Sequence, residues 1–391
     1  MKKRLKKPTS SDARRTQSLR IKMVVNPWEV SGDINYEKLI KEFGIKPLKK
    51  LPEIFDKNIL FRRNVIFAHR DIQRILDAIK SKKKFVMMTG LMPSGKFHLG
   101  HMLLAQQMIF YQKLGVKLYI AVADLEAYSA RNKSLKELRE IAIDQYLLNY
   151  IALGLSPKNC DFYFQSERSD NAKKSNAYYR LASNLSSYAT FNEFKAIYGD
   201  ISPGKMNASI LQAADMLHPQ LPEFEGKPLP VLVPVGIDQD PHLRIARDIS
   251  RRFKDYNFVQ LSSTYHTFLP GLKGGGKMSS SDENSLIAMT DSPSEVKTKI
   301  NKYAFSGGQH TVEEHRKKGG NPDVDVSFQY LRMFFEPDDK KLKDIYEDYK
   351  SGALLTGELK GILIEKINAF LKNHQKQRIL AKKQVGKFLY S

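Results

Sequence analysis

Phe85-Val86-Met87-Met88-Thr89-Gly90-Leu91-Met92-Pro93-Ser94-Gly95-Lys96-Phe97-His98-Leu99-Gly100-His101 decides how the chain is read. An apolar run, Phe85 to Met88, enters a glycine-rich turn as a buried strand. An amphipathic stretch from His98 to about Leu114 leaves it as a helix. A strand, a glycine turn and a helix start together make a phosphate cradle, because free backbone N–H groups and the positive helix end face the anion. His98 and His101 stand three apart and share one face of the first turn. Neutral imidazoles there can donate hydrogen bonds to phosphate. Gly90 to Lys96 also has the spacing of a P-loop. Phe97, however, stands where a P-loop needs a Ser or Thr hydroxyl for Mg²⁺.

A second stretch, Gly274-Gly275-Gly276-Lys277-Met278-Ser279-Ser280-Ser281, has related chemistry. Its three glycines form a hinge. Lys277 offers a compact charge to a phosphate chain, and Ser279 and Ser281 add hydroxyl and N–H donors.

Size and composition set the frame. With 391 residues the chain is long enough for two domains, and 41% hydrophobic and 10% aromatic content is that of a globular protein. No apolar run approaches a membrane span, and the lysine-rich start lacks a signal-peptide core. The single cysteine, Cys160, excludes a disulfide scaffold and a cysteine zinc site, so a cytoplasmic location is expected. Lys+Arg is 64 against 42 for Asp+Glu, a net charge of +22. An excess of that size favours a polyanionic partner, nucleic acid above all.

Taken in order, residues 1–22 are a basic arm. A segment over 23–80 contains Trp28 and a short helix near Lys38 to Gly44. A third segment, 81–292, alternates strands and helices, and 293–391 is helical throughout. Strands are expected after Val116, over Asp161 to Gln165 and over Leu229 to Val235. The stretch from Val116 ends in Asp124-Leu125-Glu126, at the carboxyl edge where open α/β sheets bind ligands. Ser134 and Glu137 form a capping box for a helix to about Leu153. Further helices are expected at about 171–187, 191–198, 207–217, 294–303, 311–318, 323–335, 338–350, 357–372 and 375–389, with one more running to about Arg252. The alternation predicts an α/β fold: a Rossmann-type, doubly wound parallel sheet followed by an all-helical C-terminal domain. The last helices carry Lys366, Lys372, Lys376, Arg378, Lys382, Lys383 and Lys387, a candidate phosphate track.

His98-Leu99-Gly100-His101 and Lys277-Met278-Ser279-Ser280-Ser281 resemble the HIGH and KMSKS signatures of class I aminoacyl-tRNA synthetases, with Ser280 replacing the second lysine. Several other stretches resemble the archaeal and eukaryotic tryptophanyl-tRNA synthetases. These are Met23 to Tyr36, Val65 to Asp71, Gly236-Ile237-Asp238-Gln239-Asp240-Pro241, Ala304-Phe305-Ser306-Gly307-Gly308-Gln309 and Asp323 to Phe328. The resemblance covers residue 23 to the end. It implies a Rossmann catalytic domain with a helical anticodon-binding domain, a homodimer, an ATP and Mg²⁺ requirement, and two steps. L-tryptophan is activated to its adenylate, then transferred to tRNA(Trp).

The resemblance also implies the site. His98, His101, Lys277 and Ser279 would be catalytic. Thr89, Gly90, Pro93, Gly100, Gly236, Asp238, Met278 and Ser281 would bind ATP, with Mg²⁺ on its phosphates and no protein-held metal. Met88, Glu126, Gln212, Asp215 and Gln239 would bind tryptophan, with Glu126 and Gln239 on the ammonium group. The pocket departs from the eukaryotic pattern, in which a tyrosine and a glutamine read the indole N–H. Met88 and Ala121 stand in those places, and Asp215 replaces a proline after Gln212-Ala213-Ala214. Bacterial relatives carry an aspartate in an Ala-Ala-Asp segment, so Asp215 is expected to take over as acceptor. A tyrosyl-tRNA synthetase-like enzyme and a catalytically idle tRNA-binding paralogue are the competing readings. Met88 and the intact His98, His101, Lys277 and Glu126 weigh against them.

Overall fold

A computed structural model describes residues 23–25, 30–31, 34–49, 51–280 and 282–389. The basic arm over 1–22, Trp28 and Ser281 lie outside the described residues. A short hairpin, β1 (Val24–Val25) and β2 (Val30–Ser31), precedes the sheet. The main sheet has seven strands: β3 (Lys46–Pro47), β4 (Ile66–Arg70), β5 (Val86–Leu91), β6 (Lys117–Val122), β7 (Cys160–Phe164), β8 (Val231–Gly236) and β9 (Ser262–His266). Their order is β3-β4-β9-β8-β5-β6-β7. From β9 to β7 all neighbours are parallel, whereas β3 and β4 add an antiparallel edge. From β5 the chain winds outward through β6 and β7, then returns through β8 to β9. The topological switch point therefore lies between β5 and β8, where such sheets leave a crevice at their carboxyl ends.

Alternation along the central strands builds a core on each face. Val86, Met88, Tyr119, Ala121, Val231 and Val233 face one apolar cluster. Met87, Leu118, Ile120, Val122 and Leu232 face the other, with Phe97 and the C-terminal helices.

The structure differs from the expected elements in several places. The sheet is not purely parallel, because the segment over 23–80 contributes β3 and β4 to it. β9 was not foreseen, since Ser262-Ser263-Thr264-Tyr265-His266 is polar in composition yet buried at every position. Finally, the two expected last helices are one, Thr356–Ala381, of 26 residues. The expected break near His374 does not occur, because that ring is buried and its Nε2 lies 2.7 Å from Asn149 Oδ1 on the Leu148–Leu153 helix. The Ser134–Glu137 capping box is present. The helix it starts passes through a π-helical stretch, Ala142–Leu147, before reaching Leu153. The helix carrying Asp215 begins at Pro203, four residues before the expected start, capped by Ser202. Among the described residues no helix is long and apolar enough to cross a membrane.

Candidate active site

A cavity of ≈ 510 Å³ opens at the carboxyl ends of β5 and β8. Its walls include His98, His101, Lys277, Ser279, Thr89, Gly90, Gly100, Gly236, Asp238, Met278, Met88, Glu126, Gln212, Asp215 and Gln239. Pro93 is buried and does not line it. Lys96, the lysine of the P-loop spacing, points away and pairs with Glu283 at 2.8 Å on the surface. Lys273 is likewise held by Asp282 at 2.7 Å and is not part of the wall.

The histidine turn fixes its own tautomers. His98 Nδ1 accepts from the Gly100 backbone N–H at 3.2 Å, and His101 Nδ1 accepts from the His98 N–H at 3.1 Å. Each neutral ring then carries its proton on Nε2, an assignment made from these hydrogen bonds. The rings lie 3.9 Å apart. Burial, and the positive charge of Lys277, hold His101 down to about 4 and His98 well below the usual histidine range. Both are therefore neutral donors near pH 7. A Cβ at Gly100 would sit 3.0 Å from the His98 ring, so glycine leaves room for that ring over the turn.

Lys277 lines the crevice. Its Nζ lies 2.6 Å from Oδ2 of the buried Asp238, which also accepts from Gln239 Nε2 at 3.3 Å. Asp238 stands on a 3-10 turn directly after β8. A Cβ at Gly236 would come within 2.5 Å of Asp238 Oδ1, so only glycine fits beneath that carboxylate. Phe268, another wall residue, is fixed from the N-terminal segment, because its N–H donates to Tyr36 Oη at 2.8 Å.

Two further wall residues, Glu126 and Asp215, are acidic. Gln212 Nε2 donates to Glu126 Oε2 at 2.7 Å, and burial raises the Glu126 carboxyl. Asp215 is buried and accepts three hydrogen bonds, from Tyr163 Oη at 2.7 Å, Tyr178 Oη at 2.8 Å and Gln165 Nε2 at 2.7 Å. Burial nevertheless raises its pKa, against the pull of those donors and of Arg168. Tyr163, Gln165 and Tyr178 escaped the sequence reading. One signal was available for Gln165, which directly follows β7 at the ligand-binding edge of the sheet. His266 escaped too. It lines the cavity from the end of β9 with Nδ1 3.3 Å from Gln107 Nε2, and burial lowers it to about 4. Asp240 has a different task from its motif neighbours. It accepts from Arg70 at 2.9 Å and from Tyr265, tying β4 and β9 to the Asp240–Arg252 helix.

One cavity thus joins neutral imidazole donors and a glycine-hinged cation to an acidic slot, an arrangement suited to bringing a carboxylate up to a polyphosphate. The model of the tRNA synthetases class I (W and Y) matches residues 80–372. Over 372 residues the chain is 44% identical to the tryptophan–tRNA ligase of Methanocaldococcus jannaschii, covering 94% of this chain and 98% of that one. This chain belongs to the tryptophan–tRNA ligase family. The crystal structure of tryptophanyl-tRNA synthetase from Aeropyrum pernix superposes with a TM-score of 0.85 at 42% identity, covering 91% of this chain and 96% of that one. That of Plasmodium falciparum gives 0.81 at 34% identity, covering 91% and 97%. The family is one of ATP-dependent class I aminoacyl-tRNA synthetases, and neither the tyrosine-enzyme reading nor the idle-paralogue reading is favoured.

Proposed function

We propose that this protein activates L-tryptophan with ATP, releasing diphosphate, and transfers the tryptophanyl group to the 3′ end of tRNA(Trp). The observation that supports this best is the shared cavity, whose walls bring both signature stretches together with Glu126, Gln212 and Asp215. Glu126 and Gln239 hold the substrate ammonium, with Gln212 fixing the Glu126 carboxylate. Asp215 accepts the indole N–H, while Met88 and Ala121 offer the ring apolar walls. The tryptophan carboxylate is thereby aimed at the α-phosphorus of ATP, whose ribose lies against Asp238 and whose adenine lies near Gly100 and Met278.

Catalysis is then positioning and charge stabilisation. The Nε2–H groups of His98 and His101 donate to phosphate oxygens without adding charge. Lys277 and Ser279 stabilise the departing diphosphate. Mg²⁺ bound with the nucleotide would supply charge neutralisation on the phosphates, which His98, His101, Lys277 and Ser279 orient. No covalent enzyme intermediate is required.

The helical region over 293–391 serves as the anticodon-binding domain, the segments 23–80 and 81–292 form the N-terminal extension and catalytic domain, and the arm over 1–22 follows the RNA backbone. The enzyme works in the cytoplasm as a homodimer. Tyr128 and Phe191 are exposed apolar side chains of the kind such an interface would cover. Amino-acid-dependent pyrophosphate exchange, run with each of the twenty amino acids, tests the reading. Exchange with tryptophan, followed by charging of tRNA(Trp), is expected. Exchange with tyrosine alone, or with none, would overturn it.

A further inference from the structure

The donors behind Asp215 do more than bury it. A carboxylate has about four acceptor positions, two on each oxygen. Tyr163 and Tyr178 both donate to Oδ1, at 2.7 and 2.8 Å, and Gln165 donates to Oδ2 at 2.7 Å. Oδ1 is saturated and Oδ2 has one place left. Asp215 lines the cavity; Tyr163, Gln165 and Tyr178 do not, so they act on Asp215 from behind. Gln165 Oε1 is buried without a partner, which means its amide orientation is dictated by the carboxylate rather than by its own carbonyl. A further layer holds Tyr163. The Arg168 guanidinium lies 3.8 Å over its ring, and is itself held by Asp161 at 2.9 Å and by His218 Nε2 at 2.8 Å. His218 Nδ1 closes the circuit on the Asp215 carbonyl at 2.9 Å.

We propose that Tyr163, Gln165 and Tyr178 are positioning residues that leave Asp215 one outward acceptor and no neighbouring donor, so that the slot selects a ring bearing N–H over a ring bearing a hydroxyl. This rests on the tryptophan reading above. An indole N–H only donates, and one open position on Oδ2 satisfies it fully. A phenol can donate to the same position, but its oxygen then needs a donor in return. Both tyrosine hydroxyl protons are already committed to Oδ1. Of the walls that face the cavity, Met88, Ala121, Met216 and Val233 have none to offer, and the Gln212 amide is directed to Glu126. A buried phenol oxygen would stay unpaired, a penalty that an N–H ring avoids.

The test uses the full chain and its Tyr178→Phe and Tyr163→Phe variants. Tyr163→Phe removes only the hydroxyl and keeps the ring beneath Arg168. Pyrophosphate exchange is measured with tryptophan, with tyrosine and with the isosteric analogue whose ring N–H is replaced by sulfur. In each variant KM for tryptophan is expected to rise about tenfold, with KM for ATP and kcat within about twofold. Preference for tryptophan over the sulfur analogue and over tyrosine should fall together. The acid limb of kcat/KM for tryptophan should move up by about one to two pH units. The titratable and charged groups around Asp215 are Tyr163, Tyr178, Arg168, His218 and Glu126. Glu126 serves the ammonium of every substrate, so the ratio of tryptophan to sulfur analogue isolates Asp215. The unmodified protein supplies a readout that does not depend on a variant folding: acid should weaken binding of tryptophan and leave that of the sulfur analogue behind. Unchanged ratios and an unmoved limb in folded variants, or parallel acid dependence of the two ligands in the unmodified protein, would overturn the inference. Failure of the unmodified protein to exchange with tryptophan would instead strike the functional reading itself.

Discussion

Replacing Lys277 by methionine separates ground-state from transition-state roles, because the structure shows what the lysine does before substrate arrives. Its Nζ is 2.6 Å from Asp238 Oδ2, and its side chain is 40% exposed against 3% for Asp238. An ion pair with one solvated partner contributes about 1 kcal/mol at most. In the proposed function, ATP binding exchanges this pair for a ribose contact at Asp238 and a phosphate contact at Lys277. The variant loses the phosphate attraction but no longer has a pair to break. These effects oppose each other and are of similar size, so KM for ATP should move by no more than about fivefold. The transition state has no such offset. Charge grows on the departing diphosphate, and loss of one aimed donor there typically costs about 10²–10³ in rate. Lys277→Met should therefore lower kcat for adenylate formation by about two to three orders of magnitude, with KM for tryptophan unchanged. Single-turnover adenylate formation and pyrophosphate exchange measure the split. A large rise in KM for ATP at undiminished kcat would assign Lys277 to uniform binding and refute the argument.

With His101 lowered to about 4 and His98 lower than usual, activation should show no histidine limb near pH 6.5; a limb between 6 and 7 that vanishes in His101→Gln would contradict the neutral state that burial imposes on the pair. Asp215→Asn can be accommodated by rotating the Gln165 amide, whose Oε1 is free, so the fold should survive while KM for tryptophan rises at least about tenfold and KM for ATP stays put; equal effects would remove Asp215 from the amino-acid slot. His374→Ala leaves Asn149 Oδ1 buried and unpaired and opens a cavity against the Leu148–Leu153 helix, an expected loss of about 2–4 kcal/mol of stability in denaturant titration. Removing residues 1–22, which contain nine lysines and arginines, should weaken tRNA binding and flatten its dependence on salt; an unchanged slope would make the arm a bystander.

The parts of the fold that could be read ahead were those where composition and burial agree. β5 and β6 are apolar on both faces and announce themselves as buried strands. The signature turn does so through its glycines and histidines. β9 could not be read that way, because its serines and threonine are buried through sheet pairing and tertiary contact, not through hydrophobicity. His374 looked like a helix end because a polar run surrounds it, yet one buried hydrogen bond carries the helix through. At the site, the cavity-lining groups lie in recognisable motifs, while Tyr163 and Tyr178 sit inside a strand and a helix as ordinary aromatic residues. Their hydroxyls converge on Asp215 only after β7 and the Ala172–Ser186 helix pack together, which no local pattern encodes.

The same dependence on long-range packing explains how the histidine turn is braced although it is a loop. Phe97 is held at both backbone groups: its N–H donates to Gln145 Oε1 at 3.4 Å, and its carbonyl accepts from Met289 N at 3.0 Å. Leu99 N–H reaches Ile287 O at 3.1 Å, so the stretch after the Lys277 loop runs alongside the histidine turn. Both braces are in turn fixed by the C-terminal helix. Gln375 donates to the Met289 and Asp291 carbonyls at 3.2 and 3.1 Å, and Arg378 donates to the Asp144 carbonyl at 2.8 Å, one residue from Gln145. The π-helical stretch Ala142–Leu147 is the point where these supports meet, and its Tyr146 both lines the cavity and packs on Phe97 and His101. A turn whose donors must hold position to within fractions of an ångström cannot rely on its own glycines for stiffness. In this chain the stiffness comes from a helix near the far end of the sequence. The helical region is therefore part of the framework that holds the cavity walls in place.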